Sequence, residues 1–485
     1  MKESLTKKTM GGFLWLFSGS GVQSVLQIGV LAILARLITP QEFGLAQAAL
    51  IVIALAKLMS QMGVGPAIVQ REKLTIRHIR TAFTISFLLG IFLGLLVYIS
   101  SSTIASFFNM PDLEAILKVV SLFFIIESFV VVSQSMLQRK IRMKAYSIAN
   151  VISYLIGYGM VAVLLGYLGY GVWALIIGIL SQVLIKAIIT SYLEPHSCIP
   201  FIGKIEFKEL MYFGGGFTIG KFANYIAGQG DNIITGKYLG ADSLGLYSRA
   251  YAIMVKPVNL IGGALDKAIF PAMASVQNDK IKLSKAYLKG VSVLSAVALP
   301  LSIFIYNSAP EIVSIILGPD WSNTIIPLQI LALGLVFRMG YKISDSLARA
   351  TGAIYRRAWR QIAFAIVVIG LSFIGTYWGI EGVATGIVLA IMFNYFLMAH
   401  LSLSIIEVTW KVFCISHKQG VLNLIIFGGM HYISVLYFRE QEINAIFTIL
   451  ISLFVPLSII GIAIYFYPNI YRKNKTINTL RRLLN

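Results

Sequence analysis

About fourteen apolar stretches, each close to twenty residues long, alternate along this chain with short polar connectors. No other feature constrains the fold as much. A helix of about twenty apolar residues crosses the ~30 Å hydrocarbon core of a bilayer, where no water satisfies an exposed backbone. The stretches lie at 13–34, 44–64, 81–100, 114–135, 146–166, 171–192, 211–235, 245–270, 288–306, 324–346, 361–378, 383–403, 419–437 and 443–466. They predict an all-α polytopic membrane protein with about 14 transmembrane helices. Lys and Arg crowd into every second connector, as in Arg71, Lys73, Arg77 and Arg80, then Arg139, Lys140, Arg142 and Lys144. In loops this short that skew sets orientation. Both termini and the connectors at 65–80, 137–145, 193–210, 271–287, 347–360 and 404–418 are therefore expected in the cytosol. The first stretch shows no small-residue cleavage pattern and leads straight into the second, so it is expected to be retained.

Composition agrees, with 58% hydrophobic and only 12% charged residues. Once the spans are assigned, no soluble domain of independent size remains. The net charge of +20 sits in clusters at span ends. Such clusters read as topology signals that also attract anionic headgroups, and they exclude a nucleic-acid partner. Cys198 and Cys414 both fall in cytosolic connectors, where no disulfide is expected. The five histidines (His78, His196, His400, His417, His431) lack metal spacing, and Gly214-Gly-Gly216 lacks the strand and Lys of a nucleotide loop. No cofactor, metal or catalytic group is expected, so transport would be driven by gradients or by consumption of product outside.

The longest polar connector, 194–210, divides the chain into 1–200 with spans 1–6 and 201–410 with spans 7–12. A further part, 411–485, holds spans 13–14 and a basic cytosolic tail. The two halves share turns. Arg36-Leu-Ile-Thr-Pro40-Gln-Glu-Phe43-Gly44-Leu45 matches Lys237-Tyr-Leu-Gly-Ala-Asp-Ser-Leu244-Gly245-Leu246, and the end of span 4 at Arg139 matches the end of span 10 at Arg349. Six spans per half make a parallel repeat about the membrane normal, the geometry of two lobes around an alternating-access cavity.

The membrane-embedded charges are the candidate site. Lys57, Lys221, Lys256, Arg338 and Lys342 would together cost on the order of 15 kcal/mol if they faced lipid, at ~2.5–3.5 kcal/mol each. They are expected to face the bundle interior, and helical spacing sets each on a polar stripe. On span 7 the stripe includes Lys221, Asp231 and Asn232. Lys57, Lys221 and Lys256 are expected to converge on a central cavity. Cations outnumber acids over the spans, which suits an anionic substrate such as a diphosphate. Internal ion pairing is the competing reading, above all Asp345 with Arg338, Lys342 or Arg349. Lys118 and Lys186, near span ends, read as snorkelling. Arg36 and Lys237 read as gate contacts or helix-end anchors. Trp15, Trp173, Trp321 and Trp378 read as an interfacial belt.

The Arg36–Gly44 turn resembles polysaccharide exporters of the multidrug/oligosaccharidyl-lipid/polysaccharide (MOP) superfamily. Gln61-Met-Gly-Val-Gly-Pro-Ala-Ile-Val-Gln-Arg71, Gly245-Leu-Tyr-Ser-Arg-Ala-Tyr251, Phe270-Pro-Ala-Met273 and Leu317-Gly-Pro-Asp-Trp321 resemble its WzxC-like lipopolysaccharide, O-antigen and exopolysaccharide branch. The resemblance covers essentially the whole chain. It implies two six-helix lobes plus a C-terminal pair in the bacterial inner membrane. It also implies flipping of an undecaprenyl-diphosphate-linked oligosaccharide from the inner to the outer leaflet. Membrane lipids, a polysaccharide polymerase and a chain-length regulator are the further partners it suggests. Two alternatives stay open, a cation-coupled multidrug exporter of the same superfamily and a membrane polysaccharide polymerase or ligase.

Overall fold

The structure is a computed structural model that describes residues 5–61 and 64–466; the side chains of 5–14, 58–61 and 212–224 are among those outside the description. The described residues form helices and no strand. In chain order these are α1 (Leu5–Leu34), α2 (Pro40–Gln61), α3 (Val64–Gln70), α4 (Ile76–Ile99), α5 (Ser101–Phe108), α6 (Leu113–Val120), α7 (Leu122–Arg139) and α8 (Met143–Ile152). A π-helical segment, Ser153–Met160, carries α8 into α9 (Val161–Tyr167), followed by α10 (Val172–Leu193). Then come α11 (Lys204–Ala274), α12 (Lys280–Asn307), α13 (Ala309–Ile316), α14 (Ile325–Leu333), α15 (Leu335–Ala350) and α16 (Ile354–Gly375). The chain continues through α17 (Gly379–Ile406), α18 (Trp410–Ser416), α19 (Lys418–Glu440) and α20 (Ala445–Phe466). Among the described residues seven helical stretches are long and apolar enough to cross a membrane, or up to eight if a bent pair, Pro319–Leu333 with Leu335–Ala350, is one span. This is an all-α, multi-pass membrane protein.

The chain forms two units, the first Met1–Gln229 with Gly236–Gly245, the second Gly230–Thr235 with Leu246–Asn485. In the first, α4 packs along α7, and α7 along α10. Val64, Ile68, Phe83 and Val132 are buried together there. The Phe83 and Phe129 rings meet edge-on at 5.5 Å. The amino end of α4 is fixed by a capping box, in which Thr75 accepts from the His78 backbone and the His78 side chain returns the contact.

Glycine sets one contact of this unit. A Cβ on Gly44 would lie 1.7 Å from the Ala241 carbonyl oxygen, and one on Gly245 would lie 1.9 Å from that of Pro40. The apolar-Gly-Leu element shared by the two turns is therefore a backbone-to-backbone crossing that tolerates no side chain. Gly240, at φ +82°, supplies the left-handed residue that breaks α11.

In the second unit α16 and α17 pair, and α12 packs against both α15 and α19. The last two helices are fastened by polar contacts. Arg439 Nε donates to Glu311 Oε1 at 2.7 Å and its Nη2 to Glu311 Oε2 at 2.9 Å. His431, fully buried, lies among Asn307, Ser308 and Ser452 at 3.3–3.4 Å. The belt reading fails for Trp321. A 3-10 turn, Pro319–Thr324, tucks that indole to 0% exposure, whereas Trp378 stays 68% exposed.

Candidate functional site

In the first unit, Lys57 on α2 is ion-paired with Glu127 on α7, and its ammonium lies 5.5 Å from the Phe123 ring centre. Glu127 is 6% exposed at its side chain and Lys57 34%. Lys186 on α10 feels the charges of both. The pairing of Lys57 with Glu127 crosses between helices, so no spacing along either helix signals it. Lys186, which its nearness to a span end sets apart in the sequence, thus stands within electrostatic reach of that pair. Lys118, by contrast, pairs with Glu114 one turn away at 2.7 Å, and both side chains are more than a third exposed.

The two turn cations have different partners. Arg36 Nη1 donates to the Ala32 carbonyl at 2.6 Å, capping the end of its own helix. Lys237 lies 4.1 Å from the Phe107 ring centre.

In the second unit Asp231 is 1% exposed and accepts from the Tyr247 hydroxyl at 2.7 Å. The Arg338 guanidinium lies 4.8 Å from the Tyr251 ring centre and within electrostatic reach of Asp231. The structure thus brings Asp231 and Arg338 into one cluster with two tyrosines, in which Asp231 and Tyr247 are buried and Arg338 and Tyr251 half-buried. Lys342 Nζ donates to the Val258 carbonyl at 3.3 Å, and its stem lies over Gly262. Lys256 neighbours the positive charge of Arg249. The Lys221 side chain lies outside the described residues.

Both units are wired at the ends of α7 and α15. Arg139, the last residue of α7, donates to the carbonyls of Ile68 at 2.8 Å, Val69 at 3.3 Å and Glu72 at 2.9 Å, and also to that of Arg71. Arg349, near the end of α15, bonds Asp345 at 3.0 Å and also Asp266, while Arg357 takes the other Asp345 oxygen. Of the pairings anticipated for Asp345, the one with Arg349 forms, and Arg357 joins it.

The connector 194–210 is anchored as well. Arg142 meets Glu194 at 2.9 Å, and Lys140 pairs with the same carboxylate. Arg71 at 2.7 Å and His78 at 3.1 Å hold Glu209. Their hydrogen bonds, Arg71 first, keep its carboxyl below the usual range. Ser133 has one hydroxyl proton and donates it to the Glu194 carbonyl at 3.1 Å, so His196 Nδ1–H donates to Ser133 at 2.9 Å. His196 Nε2 is buried with no partner, and burial pushes this imidazole below its ordinary pKa.

The sequence profile of the polysaccharide biosynthesis protein family matches residues 33–326. Lipopolysaccharide biosynthesis protein WzxC of Escherichia coli (strain K12) is 26% identical over 410 residues, which are 81% of this chain and 82% of WzxC. Teichuronic acid biosynthesis protein TuaB of Bacillus subtilis (strain 168) is 24% identical over 353 residues, 72% of this chain and 72% of TuaB. Among solved structures, lipid II flippase MurJ in an inward closed conformation superposes with a TM-score of 0.74 at 16% identity, covering 94% of this chain and 99% of that one. An inward-facing MATE multidrug resistance transporter of the MOP superfamily gives 0.63 at 15% identity over 79% of this chain and 94% of that one. These solved structures share the polytopic helical fold described above.

Proposed function

This chain belongs to the polysaccharide biosynthesis protein family, and from that premise we propose that it is a flippase for a lipid-linked oligosaccharide. The substrate is carried on undecaprenyl diphosphate and moves from the inner to the outer leaflet of the bacterial cytoplasmic membrane, for O-antigen, exopolysaccharide or capsule assembly. It acts without catalysis, by alternating access of two six-span lobes. Fourteen spans leave both termini in the cytosol, and spans 13 and 14 lie outside the repeat. A polysaccharide polymerase and a chain-length regulator are its proposed partners.

The observation that carries the reading is the sign of the interior charge. Within the spans of the first unit, Lys57 is ion-paired with the buried carboxylate of Glu127, and a second lysine, Lys186, lies within electrostatic reach of it. A surplus of fixed positive charge suits a diphosphate whose charge needs compensation throughout the crossing. A cation-coupled drug exporter would want an interior dominated by acids. Lys57, Lys221 and Lys256 are the lysines we assign to the diphosphate; as point charges they tolerate Lys→Arg but not Lys→Glu.

Mass spectrometry of lipid-linked sugars in a deletion strain tests this. Undecaprenyl-diphosphate oligosaccharide should accumulate on the inner leaflet, and surface polysaccharide should fall. Unchanged pools and normal surface polysaccharide would refute the assignment.

A further inference from the structure

The first six spans, at the bounds read from the sequence, contain five charged residues: Lys57, Glu114, Lys118, Glu127 and Lys186. Glu114 and Lys118 neutralise each other one turn apart at a span end. The remaining three come from three different helices, α2, α7 and α10, and the fold gathers them. Lone charges scattered on three spans would each need a separate route to water; here they share one site. Lys57 pairs with Glu127 beside the Phe123 ring, and α10 packs against both α2 and α7, which sets Lys186 within electrostatic reach of the same carboxylate. The neighbouring spans at 81–100 and 146–166 contain no Lys, Arg, His, Asp or Glu. Two lysines therefore surround one carboxylate in a membrane interior, Lys57 in contact with it and Lys186 within electrostatic reach, where a surplus charge is costly.

We infer that Glu127 is a built-in substitute for the phosphate of the cargo, held by Lys57 when the site is empty and passed to Lys186 when the site is loaded. This rests on the flippase reading above. An incoming diphosphate lipid headgroup takes over Lys57, and the displaced carboxylate finds its second partner in Lys186. Each state keeps a carboxylate or phosphate beside each engaged ammonium, so neither leaves a bare buried anion. No covalent step is involved. Glu127 thus acts as an internal competitor that weakens binding and lets the cargo leave, and Lys186 is the positioning residue that makes its displacement affordable.

The test is a double-mutant cycle on the full-length protein in phosphatidylcholine nanodiscs, with undecaprenyl diphosphate as the lipid probe and inorganic pyrophosphate as the soluble one. Glu127→Gln removes the competitor, so affinity for undecaprenyl diphosphate should rise about tenfold while polysaccharide export falls. Lys186→Met should weaken binding about tenfold in the parent, where Glu127 then has no second partner, and change little in the Glu127→Gln background. Should Glu127→Gln fail to fold, Glu127→Asp keeps the charge on a shorter stem and should still bind severalfold tighter than the parent. Equal or weaker binding by the Glu127 variants, or an unchanged Lys186→Met penalty in both backgrounds, overturns the exchange. The same pattern with pyrophosphate alone, and none with the lipid, overturns the assignment to a lipid headgroup. Absence of lipid binding by the parent protein would instead sink the flippase reading itself.

Discussion

Arg139 and Arg349 close sequence-related helices, yet they do so by different chemistry. Arg139 gives its guanidinium to four main-chain carbonyls at the end of α3 and just beyond it. These include orphan acceptors that every helix end leaves behind. Arg349 gives its own to two carboxylates, Asp266 and Asp345. Carbonyls do not titrate and their bonds respond little to salt, whereas carboxylates titrate and their partly exposed ion pairs are screened by it. The first unit therefore has a fixed clamp at this position and the second an adjustable one. The fork of the guanidinium suits both jobs, which explains how one residue type serves both ends while its partners diverge.

The largest expected effect breaks the fixed clamp. Arg139→Leu should cost about 3 kcal/mol, since it strands several carbonyls at once. Thermal unfolding in detergent measures this, and Arg139→Lys should recover only a small part because one ammonium cannot span the four acceptors. Full rescue by Lys would mean that only charge matters there.

Arg349→Gln should cost about 1 kcal/mol or less, because Arg349 and Asp266 are each about a third exposed, at 34% and 33%, and Arg357 remains on Asp345. Here Arg349→Lys should restore most of the loss. Raising salt should lower the stability of the parent and of Arg139→Leu while leaving Arg349→Gln nearly unmoved. Equal salt sensitivity in all three would erase the contrast.

A smaller effect concerns the connector. Unfolded His196 takes a proton near pH 6.5, while the folded imidazole resists it because burial lowers its pKa. The contribution is therefore fully present above about pH 6.5 and is lost as pH falls through that value toward the folded pKa. Hydrogen exchange over residues 194–203 should quicken on mild acidification, and His196→Phe should flatten the dependence.

The smallest effect is expected at Glu209, which is exposed. Its pKa is depressed by Arg71 and His78. Its hold on Arg71 should persist at neutral pH and fade only as pH drops below the usual carboxylate range. Glu209→Gln should remove that acid limb from a pH series of limited proteolysis at the connector.

Much of this was readable from residue order. The apolar stretches become helices, and the Asp345–Arg349 pair follows from a spacing of four on one helix. The shared apolar-Gly-Leu element was visible as a pattern, though its reason, a crossing that admits only hydrogen at both glycines, needed the backbone. Helical periodicity names the face a residue occupies but not what stands opposite. Glu127 could thus be counted among the acids without its partner Lys57 being found. For a related reason the snorkelling reading of Lys186 is incomplete, because distance from a span end says nothing of the charges on other helices that it feels. Trp321 shows the limit of composition, since one 3-10 turn inverts the usual place of an indole.

The bond between Glu311 and Arg439 sets a clock on synthesis. Glu311 is 7% exposed in the finished protein, and its partner lies 128 residues later. At about 5–20 residues per second, a ribosome needs on the order of ten seconds to supply Arg439 after Glu311 has emerged. During that interval the carboxylate must stay hydrated, protonated or shielded by the insertion machinery. The second unit can close around that helix end only when α19 arrives, so a nascent chain stalled before residue 439 should expose this acid to chaperones and proteases that never see it in the mature molecule.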